Sequence, residues 1–206
     1  MRQLELRMKR LIDIIGSLVG ITLFSPIFLL VILAIKGTSR GPVFFLQERL
    51  GLHGEVFRII KFRSMVVNAE RMGEGLRVKS SGDQRITRVG KILRATSMDE
   101  LPQFFNVLKG DMSLVGPRPP VVYYPYDGYE NYPDWGKKRF EMKPGITGYA
   151  QVKVRNSASW DHRIRLDIRY VENFSLLFDI KILMATLIKV FRTNHVYMGE
   201  MEGKKG

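Results

Sequence analysis

The sequence contains no cysteine and only three histidines, His53, His162 and His195, among its 206 residues. The absence of cysteine excludes a thiol nucleophile, a disulfide framework and cysteine-ligated zinc or iron–sulfur sites. Because the histidines lie far apart in the chain, we do not expect a metal site built from several of them. Any metal is therefore expected to have oxygen ligands, which favours magnesium. The chain also lacks internal repeats and low-complexity segments.

Acidic residues are in the minority, since 33 Lys and Arg against 20 Asp and Glu give a net charge of +13. Nucleic acid, anionic lipid head groups and phosphorylated small substrates all suit such a charge, and charge alone does not choose among them. The hydrophobic fraction of 45% argues against a disordered basic tail. The length predicts one domain, with room for an appended segment.

Charged residues are absent from 14–35, and these 22 residues would form a helix about 33 Å long, enough to cross a hydrocarbon core. No small-residue cleavage site follows the run, which argues against a signal peptide. Pro26 lies at mid-run and predicts a kink, with Ser25 or Thr22 as partners for the freed backbone groups. The basic residues that flank the run are Arg2, Arg7, Lys9 and Arg10 before it, and Lys36 and Arg40 after it.

These flanking charges place both ends of the run on the cytoplasmic side, as the positive-inside rule requires. A re-entrant helical hairpin satisfies both the charges and the proline. An ordinary kinked transmembrane helix is the alternative, and these physical arguments leave the two balanced. Asp13 lies just inside the apolar boundary, where we expect it to pair with Lys9 or Arg10.

The rest of the chain has the pattern of a mixed domain with short strands and helices. Ser97 is predicted as the N-cap of a helix, with Glu100 completing a capping box. The last of the predicted helices is too charged to cross a membrane and suits a membrane surface or the core. The predicted elements are strands at 43–46 and 55–60 joined through a turn at 51–54, a short helix and mobile loop in 68–83, and helices at 86–95, 98–108, 158–173 and 176–191.

The densest group of reactive side chains lies between Arg85 and Arg118. Within it, Asp99 and Glu100 stand amid cations that would keep both carboxylates ionised. An ionised carboxylate beside cations and magnesium can attack a phosphoryl group, although the same pair also favours a helix N-terminus. Pro117 and Pro119 fix the backbone around Arg118, whose guanidinium is either a phosphate ligand or a surface group on a turn.

Residues Thr96 to Pro119 read TSMDELPQFFNVLKGDMSLVGPRP. This run resembles the bacterial sugar transferases, and in particular the small monotopic phosphoglycosyl transferases. Further matching segments cover nearly the whole chain. They are KRLID from Lys9, the Ser25–Pro26 break, KFRSM from Lys61, DQRITRVGKILR from Asp83, PGITGYAQV from Pro144, LDIRYV from Leu166 and SLLFDIKI from Ser175.

The resemblance implies that the protein transfers a phospho-sugar from a UDP-sugar to polyprenyl (undecaprenyl) phosphate, releases UMP and requires Mg²⁺. It implies that Asp99 attacks the β-phosphate and forms a covalent intermediate in a ping-pong mechanism. Glu100 would be a metal ligand or would handle a proton, so the expected metal ligands are Asp99 and Glu100. The residues expected to bind substrate or phosphate are Lys61, Arg63, Arg85, Arg88, Arg94, Arg118, Gln151 and Asp179.

The resemblance also favours the hairpin and predicts an α+β fold with a re-entrant membrane helix, a small β-hairpin and amphipathic helices at the membrane interface. Residues 1–37 would anchor the chain through Lys9, Arg10, Ser25 and Pro26. Residues 38–198 would form a catalytic domain at the cytosolic face of the bacterial inner membrane, and 199–206 a flexible tail. The expected partners are the UDP-sugar, polyprenyl phosphate and phospholipid, and no nucleic acid is expected. Whether the protein forms a homo-oligomer stays an open question.

Two positions depart from the family pattern, Met98 in place of leucine and Val154 where glycine is expected. A β-branched residue disfavours positive φ, so the loop at 151–156 is expected to differ and sugar selection with it. The rival hypotheses are a membrane-anchored basic nucleic-acid-binding module, a non-catalytic scaffold of the same fold and a transferase that acts through a direct ternary complex. The donor sugar stays open and is expected to depend on the loops at 66–83 and 120–160.

Overall fold

The computed structural model of the protein describes residues 2–72, 83–154 and 158–202. Most of the predicted mobile loop (73–82), the end of the predicted 151–156 loop (155–156) and the end of the predicted tail (203–206) lie outside these residues. The described helices are α1 (Arg2–Thr38), α2 (Arg88–Ala95), α3 (Gln103–Lys109), α4 (Asp134–Lys137), α5 (Tyr149–Lys153), α6 (Trp160–Glu172) and α7 (Leu176–Glu202). The described strands are β1 (Phe44–Leu50), β2 (Val56–Phe62), β3 (Ser113–Val115) and β4 (Gly145–Thr147). The α+β class is confirmed.

Strands β1 and β2 form the predicted antiparallel hairpin, with Phe44 opposite Phe62 and Leu50 opposite Val56. Strand β1 ends four residues and β2 two residues beyond the predicted ranges, and each begins one residue later than predicted. A short 3-10 helix at Leu52–Gly54 joins them, and Gly54 adopts a positive φ of 84°. Glycine suits this position because it has no Cβ, and a Cβ there would lie 2.3 Å from the ring of Tyr129.

The capping box predicted at Ser97 is wrong. Ser97 has a left-handed backbone (φ 57°) with no side-chain capping bond, and Met98–Glu100 forms a single 3-10 turn. Helix α3 begins only at Gln103, after Pro102. A continuous helix from residue 98 would place the Pro102 ring against the carbonyl of Met98, so the chain breaks before α3 begins.

A second sheet, which the sequence analysis did not predict, pairs β3 with β4 in parallel. A hydrophobic core lies between this sheet and helices α6 and α7. Gly116 and Gly145 allow the backbones to approach closely, since a Cβ on Gly145 would lie 2.0 Å from the Gly116 nitrogen. The buried core residues of this region are Val115, Met142, Tyr170, Val171 and Ile182. Helix α7 thus packs on the core, while Leu177, Ile180 and Met184 stay exposed on its other side.

Helix α1 packs one face against the rest of the protein along nearly its whole length. Its buried or half-buried positions recur every three or four residues, at Lys9, Asp13, Ser17, Gly20, Phe24, Phe28, Val31 and Ile35, with Phe24 half-buried. The exposed face is apolar and includes Leu11, Ile15, Leu18, Val19, Leu23, Leu29, Leu30 and Leu33. In the described part of the chain, α1 is the one helix long and apolar enough to cross a membrane.

Candidate functional site

The 3-10 turn at Met98–Glu100 presents the acidic pair between the β-hairpin and the loop after β3. The Glu100 Oε1 atom accepts a hydrogen bond of 2.6 Å from the Lys61 ammonium. The same oxygen lies 3.6 Å from a guanidinium nitrogen of Arg118. The structure therefore brings the adjacent Asp99 and Glu100 together with Lys61 and Arg118, which come from distant parts of the sequence. All four were predicted as site residues.

Lys61 is held in register with the acidic pair by Asn106 of α3. The Asn106 side chain accepts from the Ile60 amide at 2.9 Å and donates to the Arg58 carbonyl at 2.8 Å. These bonds satisfy the free edge of β2 and fix it against α3, because an unpaired buried edge is costly. Asn106 is only 1% exposed. The sequence analysis missed it, since nothing in a helical asparagine signals a strand 46 residues away.

The two carboxyl groups have very different proton affinities. Burial raises the pKa of Asp99 to about 6, with the Glu100 charge adding to the rise and Lys61 and Arg94 opposing it. Burial also favours the neutral form of Glu100, but the charges of Lys61 and Arg118 outweigh it and lower its pKa to about 2. At neutral pH both carboxylates are ionised, and Asp99 is the more basic of the two. The pair thus combines a more basic carboxylate with a neighbouring carboxylate that stays charged.

Arg49 is a further cation of this site that the sequence analysis missed. It lies on β1, donates to the Pro119 carbonyl at 3.0 Å and bonds Gln47, which in turn bonds Glu70. Burial and the neighbouring Arg118 lower the pKa of Arg49 to about 10, so it still carries its charge at neutral pH. An alternating pattern of residues in β1 could have indicated which face of the strand carries Arg49. It could not have indicated the bond to the distant Pro119 carbonyl.

Several predicted substrate ligands bind other groups of the protein in the structure, and their predicted contact with substrate stays a prediction. Arg63 donates to the carbonyls of Ser39 and Arg40, at the end of α1. Arg85 pairs with Asp83 at 2.7 Å and binds the carbonyls of Ala69 and Met72. The Gln151 amide donates to the Ile146 carbonyl, and Asp179 pairs with Lys9. Arg88 and Arg94 are both exposed on α2. The charge of Arg94 opposes the rise in the pKa of Asp99, whereas Arg88 is not among the groups that shift this pKa most.

The predicted anchor residues join α1 to the strand that leads to the site. Lys9 donates to the Val115 carbonyl at 2.9 Å and to Asp179 at 2.5 Å. Arg10 donates to the last carbonyls of α3, those of Val107 and Leu108.

The expected pairing of Asp13 with Lys9 or Arg10 is wrong. Asp13 accepts from the Ser113 hydroxyl at 3.0 Å and the Leu114 amide at 2.9 Å. The carboxylate binds these two donors of β3 because buried donors without partners cost more free energy than the loss of a surface ion pair with Lys9 or Arg10.

Ser25 and Pro26 lie within α1, and the predicted backbone partner is confirmed. Proline cannot donate to the carbonyl four residues earlier, which belongs to Thr22. The Ser25 hydroxyl donates to that carbonyl at 2.8 Å.

The backbone of Val154 is also as expected, since it is extended (φ −123°) rather than left-handed.

In the described residues no group of three or more His, Asp and Glu side chains is arranged to hold a metal. The acidic pair alone supplies two hard oxygen donors, and one oxygen of Glu100 is already engaged by Lys61. Magnesium in phosphate-transfer sites is commonly bound by one or two carboxylates with the remaining ligands from substrate phosphates and water. The residues present fit an ion of that kind.

The profile of a family described as bacterial sugar transferase matches residues 4–193. Galactosyl transferase CpsE of Streptococcus agalactiae serotype III (strain NEM316) is 44% identical over 189 residues, covering 87% of this chain and 41% of that protein. The uncharacterized sugar transferase EpsL of Bacillus subtilis (strain 168) is 42% identical over 195 residues, covering 92% of this chain and 93% of that protein.

A third relative comes from Aeromonas hydrophila and is named UDP-N-acetylgalactosamine-undecaprenyl-phosphate N-acetylgalactosaminephosphotransferase. It is 45% identical over 182 residues, covering 87% of this chain and 42% of that protein. The chain thus spans about two fifths of two of these relatives and nearly all of the Bacillus protein. Because the family profile covers most of the chain at these identities, the chain belongs to the bacterial sugar transferase family, as its sequence motifs predicted.

Proposed function

We propose that this protein is a phosphoglycosyl transferase, which moves a phospho-sugar from a UDP-sugar to polyprenyl phosphate and releases UMP. The observation that carries the proposal is the ionised Asp99–Glu100 pair beside Lys61 and Arg118. The Aeromonas relative supports it, since its name specifies a UDP-sugar and undecaprenyl phosphate as substrates. The reaction would be the first membrane step in assembling a glycoconjugate.

In the first half-reaction, an oxygen of Asp99 forms a bond to the β-phosphorus of the UDP-sugar. The bond from that phosphorus to the bridging oxygen breaks, and UMP leaves with the electron pair. In the second, an oxygen of polyprenyl phosphate attacks the same phosphorus, and Asp99 departs as a carboxylate. Lys61 and the half-exposed Arg118 stabilise the phosphate charge in both steps. One small site then serves two phosphorylated substrates in turn.

Glu100 supports this chemistry as a fixed charge. Its oxygen orients the Lys61 ammonium at 2.6 Å and faces the Arg118 guanidinium, so both cations are held next to Asp99. Asp99 and Glu100 would hold Mg²⁺ together with the diphosphate of the substrate. When bound, the ion would neutralise phosphate charge during transfer.

We also propose that α1 lies in the cytoplasmic leaflet rather than crossing the bilayer. Support comes from contacts at both ends of the helix with the same charged domain. Lys9 near the start binds Val115 and Asp179, while Ile35 near the end packs with Phe62 and Leu93. About 39 Å of helix separates Lys9 from Ile35, and the domain follows it throughout. Two ends held on one domain favour the re-entrant, monotopic arrangement.

The test measures UMP release by the detergent-solubilised protein with Mg²⁺ and a panel of UDP-sugars, first without polyprenyl phosphate. We expect one donor to release about one UMP per enzyme without acceptor, as covalent catalysis requires, and continuous UMP after acceptor is added. Asp99→Asn should abolish both phases. Asp134→Asn, which changes a fully exposed carboxylate on α4, is the matched control and should retain both.

Three outcomes would contradict parts of the proposal. UMP that appears only with acceptor present would replace the covalent intermediate with a direct ternary complex. Equal release by the wild type and Asp99→Asn would mean that another group is the nucleophile. No release from any donor in a broad panel, by folded protein, would refute the transferase assignment.

A further inference from the structure

The loop that carries Arg118 has an unusual backbone. Residues 117, 119 and 120 are prolines and have no N–H to donate. Such a loop has few donors with which to form turns of its own, so its carbonyl groups depend on donors from elsewhere. The position of the Arg118 side chain therefore depends on which groups hold this backbone.

All four carbonyls of 117–120 are bound, and the donors come from three parts of the chain. The Gly145 amide of β4 donates to Pro117 at 3.0 Å, and the Leu50 amide of β1 donates to Pro120 at 3.1 Å. The other two carbonyls, those of Arg118 and Pro119, are bound by arginine side chains. These arginines are Arg139, after α4, and Arg49, on β1.

Arg139 is the deeper of the two. It is 1% exposed, and its Nη2 atom bonds the Arg118 carbonyl and Asp167 Oδ2, both at 2.7 Å. Asp167 on α6 is equally buried. A buried ion pair is a poor way to gain stability, because desolvation offsets most of the attraction. The pair does, however, fix a donor against the one carbonyl that belongs to Arg118 itself.

Arg49 holds the loop from the opposite side. Its Nη1 atom donates to the Pro119 carbonyl at 3.0 Å, and its Nη2 atom bonds Gln47. A guanidinium can bind two acceptors in a fixed plane, whereas a lysine in its place would keep the charge but lose that geometry. The two arginines thus bind adjacent carbonyls of the loop, one anchored in the β-hairpin and the other against α6.

We propose that Arg49 and Arg139, the latter through its pair with Asp167, are positioning residues that aim the Arg118 guanidinium at the reacting phosphate. This inference rests on the proposed transferase function. Neither residue is assigned a contact with substrate, and each acts through the backbone of the loop at 117–120. A displacement of Arg118 by about 1 Å is enough to lower the rate strongly, because charge stabilisation depends on geometry.

The test is a double-mutant cycle on kcat for transfer of a radiolabelled phospho-sugar. Arg49→Lys should lower kcat about tenfold in the wild-type background but less than twofold in the Arg118→Ala background. Arg139→Met with Asp167→Leu removes the buried pair without leaving a charge unpaired, and it should show the same dependence on Arg118. Arg58→Lys, an exposed arginine of the same hairpin, is the matched control and should change kcat in neither background.

A merely structural role would lower kcat by the same factor in both backgrounds, and that additive result would overturn the proposal. If Arg118→Ala falls below detection, Arg118→Lys serves as the background under the same criterion. Failure of the transferase assignment is recognised separately, since the wild type would then release no UMP or Asp99→Asn would match it. If the enzyme is active and depends on Asp99, but the effects of the substitutions on kcat are additive, only the positioning role is refuted.

Discussion

Asp99 and Glu100 are neighbours in the chain, yet their surroundings move their pKa values in opposite directions. Glu100 takes the close contacts with Lys61 and Arg118, so its pKa falls to about 2. Asp99 is half-buried beside that permanent anion, and the loss of solvent raises its pKa to about 6. Pairs whose environments separate their pKa values in this way divide the chemical roles between them. The more basic carboxylate, Asp99, is the better nucleophile and the one whose charge depends on pH.

We expect the first half-reaction to lose its rate as the pH falls through about 6, where Asp99 takes up a proton. Below that value the rate should drop about tenfold per pH unit, because only the carboxylate attacks phosphorus. The measurement is the UMP burst without polyprenyl phosphate between pH 5 and 8, since the acceptor phosphate itself titrates near pH 6. A burst rate that stays constant down to pH 5 would contradict the assignment.

Lys61→Met should move this acidic limb toward neutral pH. The Lys61 charge lowers the pKa of Asp99, so its removal lets the carboxyl keep its proton at higher pH. The same burst measurement gives the midpoint. Lys138→Met, which removes an exposed cation paired with Glu172, should leave the midpoint unchanged. A midpoint that does not move in Lys61→Met would show that this charge does not reach Asp99.

The residues of the site were predictable only where chemistry and local motif coincide. Asp99, Glu100, Lys61 and Arg118 were predicted and do meet in space. Arg49, Asn106 and Arg139 were missed because their roles lie in bonds to backbone atoms of distant segments. Arg63 and Arg85 were predicted to bind substrate, and in the structure their guanidinium groups bind backbone carbonyls. A cation in a motif does not reveal whether its partner is a phosphate or a carbonyl.

At the scale of elements, α1 is an apolar helix that also packs into the domain carrying the acidic pair. Its buried polar side chains bind β3, with Lys9 on the Val115 carbonyl and Asp13 on the Leu114 amide. Strand β3 leads directly into the loop at 117–120 that presents Arg118. Helix α1 therefore supplies hydrogen-bond partners to β3, and removing it would leave buried backbone groups without partners.

Lys9→Met should destabilise the protein by about 3–5 kcal/mol, because it leaves Asp179 buried without its counter-charge. Adding Asp179→Asn should recover a large part of that loss, since the amide removes the charge and still accepts from Tyr170. The measurement is thermal unfolding in detergent, where the single variant should lower Tm by about 10 °C.

Lys36→Met provides the control for this experiment, since Lys36 is an exposed residue near the other end of the same helix. Its Tm should equal that of the wild type. If Lys9→Met and Lys36→Met unfold at the same temperature, the buried pair does not anchor α1.

Periodicity predicted the larger elements of the fold but not the smaller ones. The hairpin, α2, α6 and the start of α7 have strong apolar patterns, and each was found near its predicted range. The three-residue strands β3 and β4 were missed because they are too short for an alternating pattern and pair across about 30 residues. The predicted helix at 98–108 began late because Pro102 overrides a favourable cap.

For the whole molecule, the net charge of +13 and the long exposed apolar face of α1 have to be explained together, because both lie on the protein surface. Leu23, Leu29 and Leu30 on the outer face of α1 are each about 60% exposed or more, which is unstable in water and suits hydrocarbon. The opposite face of the same helix, polar near its start and apolar near its end, is buried in the domain. This distribution suits a protein that rests on a bilayer, where its cations would meet anionic head groups and, under the proposed function, phosphorylated substrates.

This arrangement predicts that both ends of α1 are accessible from the cytoplasm only. The chain has no cysteine, so single cysteines introduced as Gln3→Cys and Thr38→Cys can be labelled without background. A membrane-impermeant maleimide should react with both in inverted inner-membrane vesicles and with neither in intact spheroplasts. Glu130→Cys, on an exposed loop of the domain, marks the cytoplasmic reaction in each preparation. A helix that crosses the bilayer would expose Gln3→Cys and Thr38→Cys on opposite sides, because about 52 Å of helix separates them.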